Sequence, residues 1–239
     1  MQSDPLDYLS RLPEEARYLG DHTKGEIEIV TDSQAIAEIV ETYREKLQSL
    51  NLNSDLASVG VLLEDDHILV IRDPVRFPSG QTSTYFRVLQ RAGLDGPLGV
   101  VMLPFCDGLI YLRKIFRHAT RRWELECPKG YKQKDFSLAE TAKNEISEEL
   151  GLEVKDIRDI GSLASDTGLS AGIIQAYWVV LEGGKPHPSP EEGEAFGPIV
   201  AIAPREIMEK IRAGEIRDGV TLSVLQLAQA QNLLPLDKD

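Results

Sequence analysis

The stretch from Gly130 to Leu152, GYKQKDFSLAETAKNEISEELGL, constrains this chain more than any other. Ala139, Ala142, Ile146 and Leu150 recur in it at helical spacing, which predicts a helix anchored on a core by one apolar face. Glu145, Glu148 and Glu149 lie three and four residues apart on the other side. Carboxylates so placed repel one another unless solvent or a cation sits between them. Oxygen ligands and concentrated negative charge select a hard divalent cation, Mg2+ or Mn2+. Taken alone, a run such as NEISEEL reads first as a solvated helix face. Gly151 is placed to end the helix in the left-handed conformation, and Glu126, Pro128 and Gly130 mark a tight loop leading into it.

The complete pattern alters that balance. A glycine, then Glu, an aliphatic, any residue, Glu-Glu, any residue, Gly and an aliphatic resembles the Nudix box, the loop-helix signature of hydrolases that cleave a nucleoside diphosphate linked to another moiety. Two positions depart from it: Phe136 stands where the family has Glu, and Asn144 where it has Arg. Those two residues normally pair to hold the loop against the helix, so a whole ion pair is exchanged, and Phe136 is expected to staple the loop by apolar packing instead. Upstream, GVVMLPFCDGLIYLRKIFRHATRRWELECPKG ends in Glu-x-Pro-x-Gly and resembles the ADP-ribose pyrophosphatase branch. Downstream, SDTGLSAGIIQAYWVVL and PEEGEAFGPIVAIAPREIMEKIRAGEIRDGVTLSVLQLA resemble that branch's loop and strand, then its acidic loop, last strand and closing helices. The resemblance covers the chain from Ala57 onward.

Composition bounds the alternatives. A chain of 239 residues is long enough for one large domain or two small ones. Its net charge of −13 argues against gripping nucleic acid, where phosphate contacts supply most of the affinity. Cys106 and Cys127 form neither a CxxC pair nor a disulfide framework, which points to a reducing, cytoplasmic setting. His22, His67, His118 and His187 are scattered without zinc-ligand spacing. The N-terminal residues lack the basic start and apolar run of a signal peptide, and no stretch approaches bilayer length, so no membrane partner is expected. The one strongly basic stretch, Arg113 to Arg122, reads equally as a phosphate clamp or as a solvated edge strand and turn.

Along the chain, Ser33 to Leu50 predicts an amphipathic helix capped by Asp32 or Ser33. The runs SVGVLL, HILVIRDPV, TSTYFRVLQ, GVVML and LIYLRKIF predict strands, although their alternation is uneven. Helices are expected over Pro204 to Ile211 and Val220 to Asn232. The expected organisation is an N-terminal extension over 1–56, strands over 57–96, and a catalytic domain over 97–239. The resemblance implies an α/β fold, the Nudix α/β/α sandwich with a mixed sheet, behind an accessory region. It also implies that HILVIRDPVRFPSG and TSTYFRVLQ pair across a two-fold homodimer.

The resemblance implies Mg2+- or Mn2+-dependent hydrolysis of a small nucleoside diphosphate derivative, ADP-ribose or an ADP-sugar, to AMP and a sugar phosphate. Metal falls to Glu145 and Glu149, with Glu148 beside them, and the acidic loop supplies Glu192 as base and Glu194 as a supporting ligand. That loop reads equally as a merely solvated one. Arg117, Glu126 and Gly168 are the implied substrate-binding residues, with Asp166 and Thr167 shaping the loop around Gly168. Tyr85, Phe86 and Trp123 are candidates to stack on adenine, but aromatics in strand-like runs usually pack inside, and the core reading comes first. A non-hydrolytic nucleotide-sugar sensor and a protein-interaction module remain the alternative functions.

Overall fold

The computed structural model describes residues 5–189 and 195–234. In chain order the strands are β1 (Glu28–Ile29), β2 (Gly60–Glu64), β3 (Ile68–Arg76), β4 (Thr82–Gln90), β5 (Gly99–Cys106), β6 (Leu109–Arg117), β7 (Arg122–Glu126), β8 (Lys129–Tyr131), β9 (Val154–Ala164), β10 (Ile173–Leu181) and β11 (Phe196–Ile202). The helices are α1 (Ser33–Ser49), α2 (Leu138–Leu150), α3 (Pro204–Arg212) and α4 (Gly219–Ala230). The chain divides into two compact units, Met1–Asp95 with Asp166–Gly172, and Gly96–Ser165 with Ile173–Asp239.

In the first unit β3 is the central strand. It pairs antiparallel with β4 along one side and with β2 and β1 along the other. Helix α1 begins where the Asp32 carboxylate accepts the Ala35 N–H at 2.8 Å. Its buried Ile36 and Ile39 join Leu69, Ile71 and Leu89 of the strands in one apolar cluster. The N-terminal extension is part of that cluster through Leu6, Tyr8 and Leu12. Tyr8 donates its hydroxyl to the buried Asp73 carboxylate, which Arg87 also grips with Nε at 2.5 Å and Nη2 at 3.0 Å. A second arm of the same guanidinium reaches the Ala16 carbonyl at 2.6 Å, fixing the extension at two points.

The second unit holds a seven-stranded sheet in the order β11-β6-β5-β10-β9, with β7 paired to β6 and β8 to β5. β5 and β10 run parallel and the other pairs antiparallel, so the sheet is mixed. Successive strand residues point to opposite faces, and here both faces are covered. Val100 and Met102 of β5, with Tyr177 and Val179 of β10, meet Ala142, Ile146 and Leu150 of α2. Val101 and Leu103, with Ala176 and Trp178, meet Ile207 of α3 and Val220, Val224 and Ala228 of α4. Double coverage is why these strands read as continuous apolar runs. The tight β5–β6 hairpin turns on Asp107 and Gly108, with φ of 50° and 81°, the positive values that a twisted two-residue loop requires.

The α/β class and mixed sheet are those expected, and the helix and strand runs read from the sequence are all present within a few residues of their expected ends. The basic stretch is not an edge strand: β6 carries β11, β5 and β7. Its Arg113 is buried, with the guanidinium 3.7 Å from the centre of the Phe196 ring. Among the described residues no helix is long and apolar enough to cross a membrane.

Candidate functional site

Helix α2 owes its position to both of its ends. The Ser137 hydroxyl accepts the Glu140 N–H while the Glu140 carboxylate accepts the Ser137 N–H at 2.8 Å, a reciprocal capping box that Ser-x-x-Glu announces in the sequence. Gly151 closes the other end at φ 63°. A side chain there would also overlap the His187 backbone, so glycine meets two demands at once. With Ala142, Ile146 and Leu150 buried beneath it, the helix presents Glu145, Glu148 and Glu149 to one cavity of about 500 Å³.

The same cavity is lined by Lys129, Gly130 and Tyr131 of β8 and by Arg117 at the end of β6. Helix and strand touch at Gly130, where an added Cβ would overlap the Glu145 carboxylate and push it aside. One residue earlier, the Lys129 N–H donates to Glu149 Oε1 at 3.1 Å, and Glu149 is buried. Behind this contact lies a cluster of charges. Arg117 grips the buried Glu126 through Nη2 at 2.6 Å and Nε at 3.1 Å, and the Lys129 ammonium reaches Glu126 at 2.8 Å and Asp218 at 3.2 Å. Burial works against the Arg117 charge, but hydrogen bonding and attraction to Glu126 outweigh it and hold the guanidinium above its ordinary pKa.

The structure thus brings Glu145, Glu148, Glu149 and Arg117 to one cavity, with Glu126 directly behind. Gly168 belongs to the first unit, where its carbonyl accepts from the Tyr85 hydroxyl at 3.3 Å and its N–H donates to Asp166 at 3.0 Å. Glu192 and Glu194 lie outside the described residues. The residues flanking that stretch are tied to the elements that build the cavity: Ser189 N–H donates to the Glu148 carbonyl, and Phe116 N–H to the Ala195 carbonyl, each at 2.9 Å.

Two expectations need correction. Phe136 is 47% exposed and belongs to none of the three apolar clusters. The box loop is instead held by Gln133, whose side chain accepts from Asn144 Nδ2 at 2.8 Å and whose N–H reaches the Thr141 hydroxyl at 3.4 Å. The pair is a neutral amide one and needs no countercharge. The aromatics are also misread as core: Tyr85, Phe86 and Trp123 are each more than a third exposed. Sequence reading missed Lys129, Gln133, Thr141, Asp218 and Thr221. Of these, Asp218 ahead of an apolar helix carried a capping signal.

Among the described residues no group of three or more His, Cys, Asp or Glu is close enough to hold a metal ion unaided. Magnesium does not need one, since it keeps several waters and is commonly bound through one or two carboxylates together with substrate phosphates. The all-oxygen donors Glu145, beside the Gly130 backbone, and Glu149, held by the Lys129 N–H, fit that mode.

No protein-family model matches the chain, and no curated protein matches it in sequence. Its likeness to solved structures includes a crystal structure of an ADP compounds hydrolase, with a TM-score of 0.60 at 19% identity over 74% of this chain and 95% of that one. The α/β architecture with a mixed sheet and flanking helices is therefore one that this chain shares with an ADP compounds hydrolase.

Proposed function

We propose that this chain is a Nudix-type hydrolase that cleaves the diphosphate of ADP-ribose or a related ADP-sugar, giving AMP and a sugar phosphate. One observation carries the reading: a single cavity is lined by three helix-borne carboxylate residues and by Arg117. A diphosphate with its divalent cation needs both charges, carboxylates for the cation and a guanidinium for phosphate oxygens left unneutralised.

In this scheme Glu145 and Glu149 hold Mg2+ or Mn2+, and Glu148 completes the acidic side. Bound there, the cation supplies charge neutralisation at the phosphoryl oxygens and activation of water. The chain's own part is placement. The Lys129 N–H fixes one Glu149 oxygen, the Gly130 backbone sets the Glu145 carboxylate, and Glu126 aims the Arg117 fork. Glu192 is assigned as the base that takes a proton from the attacking water, and Glu194 as a supporting ligand. β3 and β4 are assigned to a two-fold dimer contact, with Tyr85 and Phe86 available to adenine.

The neutral latch between Gln133 and Asn144 favours a second reading, a module that binds a nucleotide-sugar without turning it over. Calorimetric titration of ADP-ribose with Mg2+, run beside an assay of AMP release, separates the cases. Binding with release is expected. Binding without release supports the sensor, and the absence of both binding and release would sink both readings.

A further inference from the structure

The geometry points to Asp218 as a positioning residue for the acid side of the cavity, although it lies 89 residues from the lysine it holds. This inference rests on the hydrolase reading and adds to it a residue outside the box. Asp218 is the N-cap of α4, and its Oδ2 accepts from the Thr221 N–H at 2.9 Å, the Thr221 hydroxyl at 2.8 Å and the Lys129 ammonium at 3.2 Å. Because Thr221 gives its proton to Asp218, its oxygen is left to accept, and it takes the Cys127 N–H at 3.0 Å. The turn from Glu126 to Gly130 is therefore gripped twice by the first turn of α4, once on its backbone and once through Lys129. A third tie sits just upstream, where Arg217 Nε donates to Glu124 of β7 at 2.8 Å.

The far side of this turn carries the acids. The Lys129 N–H binds Glu149, and the Gly130 backbone abuts Glu145. Thr221 and Cys127 are buried, so the backbone tie is shielded from water, while the Lys129 and Asp218 side chains that make the second tie are partly exposed. An ordinary N-cap would need only the Thr221 N–H; the contacts to Lys129 and to the Thr221 hydroxyl exceed that role.

Asp218→Ser separates the two roles. Serine caps a helix about as well as aspartate but is too short to hold the Lys129 ammonium. Asp218→Asn keeps the length and one accepting oxygen while losing the charge. In the full chain, Asp218→Ser is expected to speed amide hydrogen exchange over 126–130 by roughly tenfold and leave exchange in α4 unchanged. It should also weaken Mn2+ binding in the absence of substrate by several-fold and lower kcat for AMP release by roughly tenfold, with little change in KM. Asp218→Asn should fall between it and wild type. Lys129→Met should absorb most of the effect, so that the double variant is scarcely worse than Lys129→Met alone.

Unchanged exchange over 126–130, unchanged Mn2+ affinity, or additivity with Lys129→Met would each overturn the assignment. A wild-type chain that binds Mn2+ but leaves ADP-ribose intact would refute the substrate reading, and the Mn2+ shift in Asp218→Ser would still decide the role of Asp218.

Discussion

Each unit buries a carboxylate beneath an arginine fork, and the two forks are used differently. In the first unit Asp73 is closed off by Arg87 and Tyr8, and burial, with Asp73 beside it, pushes the Tyr8 phenol well above its ordinary pKa. In the second unit Glu126 is shared by Arg117 and Lys129, and both cations also line the 500 Å³ cavity. The first cluster spends its hydrogen bonds within the fold, where it fastens the N-terminal extension to β3 and β4. The second shares its cavity with Glu145, Glu148 and Glu149. Arg87 too borders a cavity, one of about 340 Å³, so neither a buried ion pair nor a cavity beside it marks a functional site; what sets the second cluster apart is the three helix-borne carboxylates that line the same cavity.

Removing each carboxylate in turn should break the comparison in opposite ways. Asp73→Ala leaves Arg87 and Tyr8 in a buried site without their acceptor, and stability should fall by about 3 kcal/mol, the range for stripping one partner from a buried pair. Chemical denaturation reads that loss directly, and turnover per folded molecule should change far less than in the next variant. Glu149→Gln should do the reverse. It keeps volume and can still accept the Lys129 N–H, yet removes a ligand charge, so AMP release should drop roughly a hundredfold, about 2.7 kcal/mol at the barrier. Without metal its melting temperature should stay level or rise as repulsion among the three acids is relieved. Wild-type turnover at limiting Mg2+ would remove Glu149 from the ligand set.

Gln133 and Asn144 offer a finer test. If their amide bond is what holds the box loop, Asn144→Ala and Gln133→Ala should each cost about 1 kcal/mol in urea unfolding, with most of that cost shared in the double variant. Additive losses would mean that the loop is held by something else.

What the sequence disclosed follows from the range of the interactions involved. The ends of α1 and the left-handed Gly151 are local, set by capping and by helical period, and both are where the residues indicate. The acid side of α2 was legible for the same reason. β9 was not: VKDIRDIGSLA alternates poorly and carries four charges, as suits a strand at the edge of its sheet, paired on one side by β10. The anchoring of Tyr8 on Asp73 and of Lys129 on Asp218 spans 65 and 89 residues, and no local pattern encodes either. Phe136 misled because its type suggested packing, whereas the neighbouring Gln133 and Asn144 had the complementary amides.

The most direct test of the central claim is crystallographic. Crystals soaked in Mn2+ with a non-hydrolysable ADP-ribose analogue should show an anomalous peak within about 2.3 Å of carboxylate oxygens of both Glu145 and Glu149, with the diphosphate turned toward Arg117. No peak at saturating Mn2+, or a peak away from these two residues, would contradict the account.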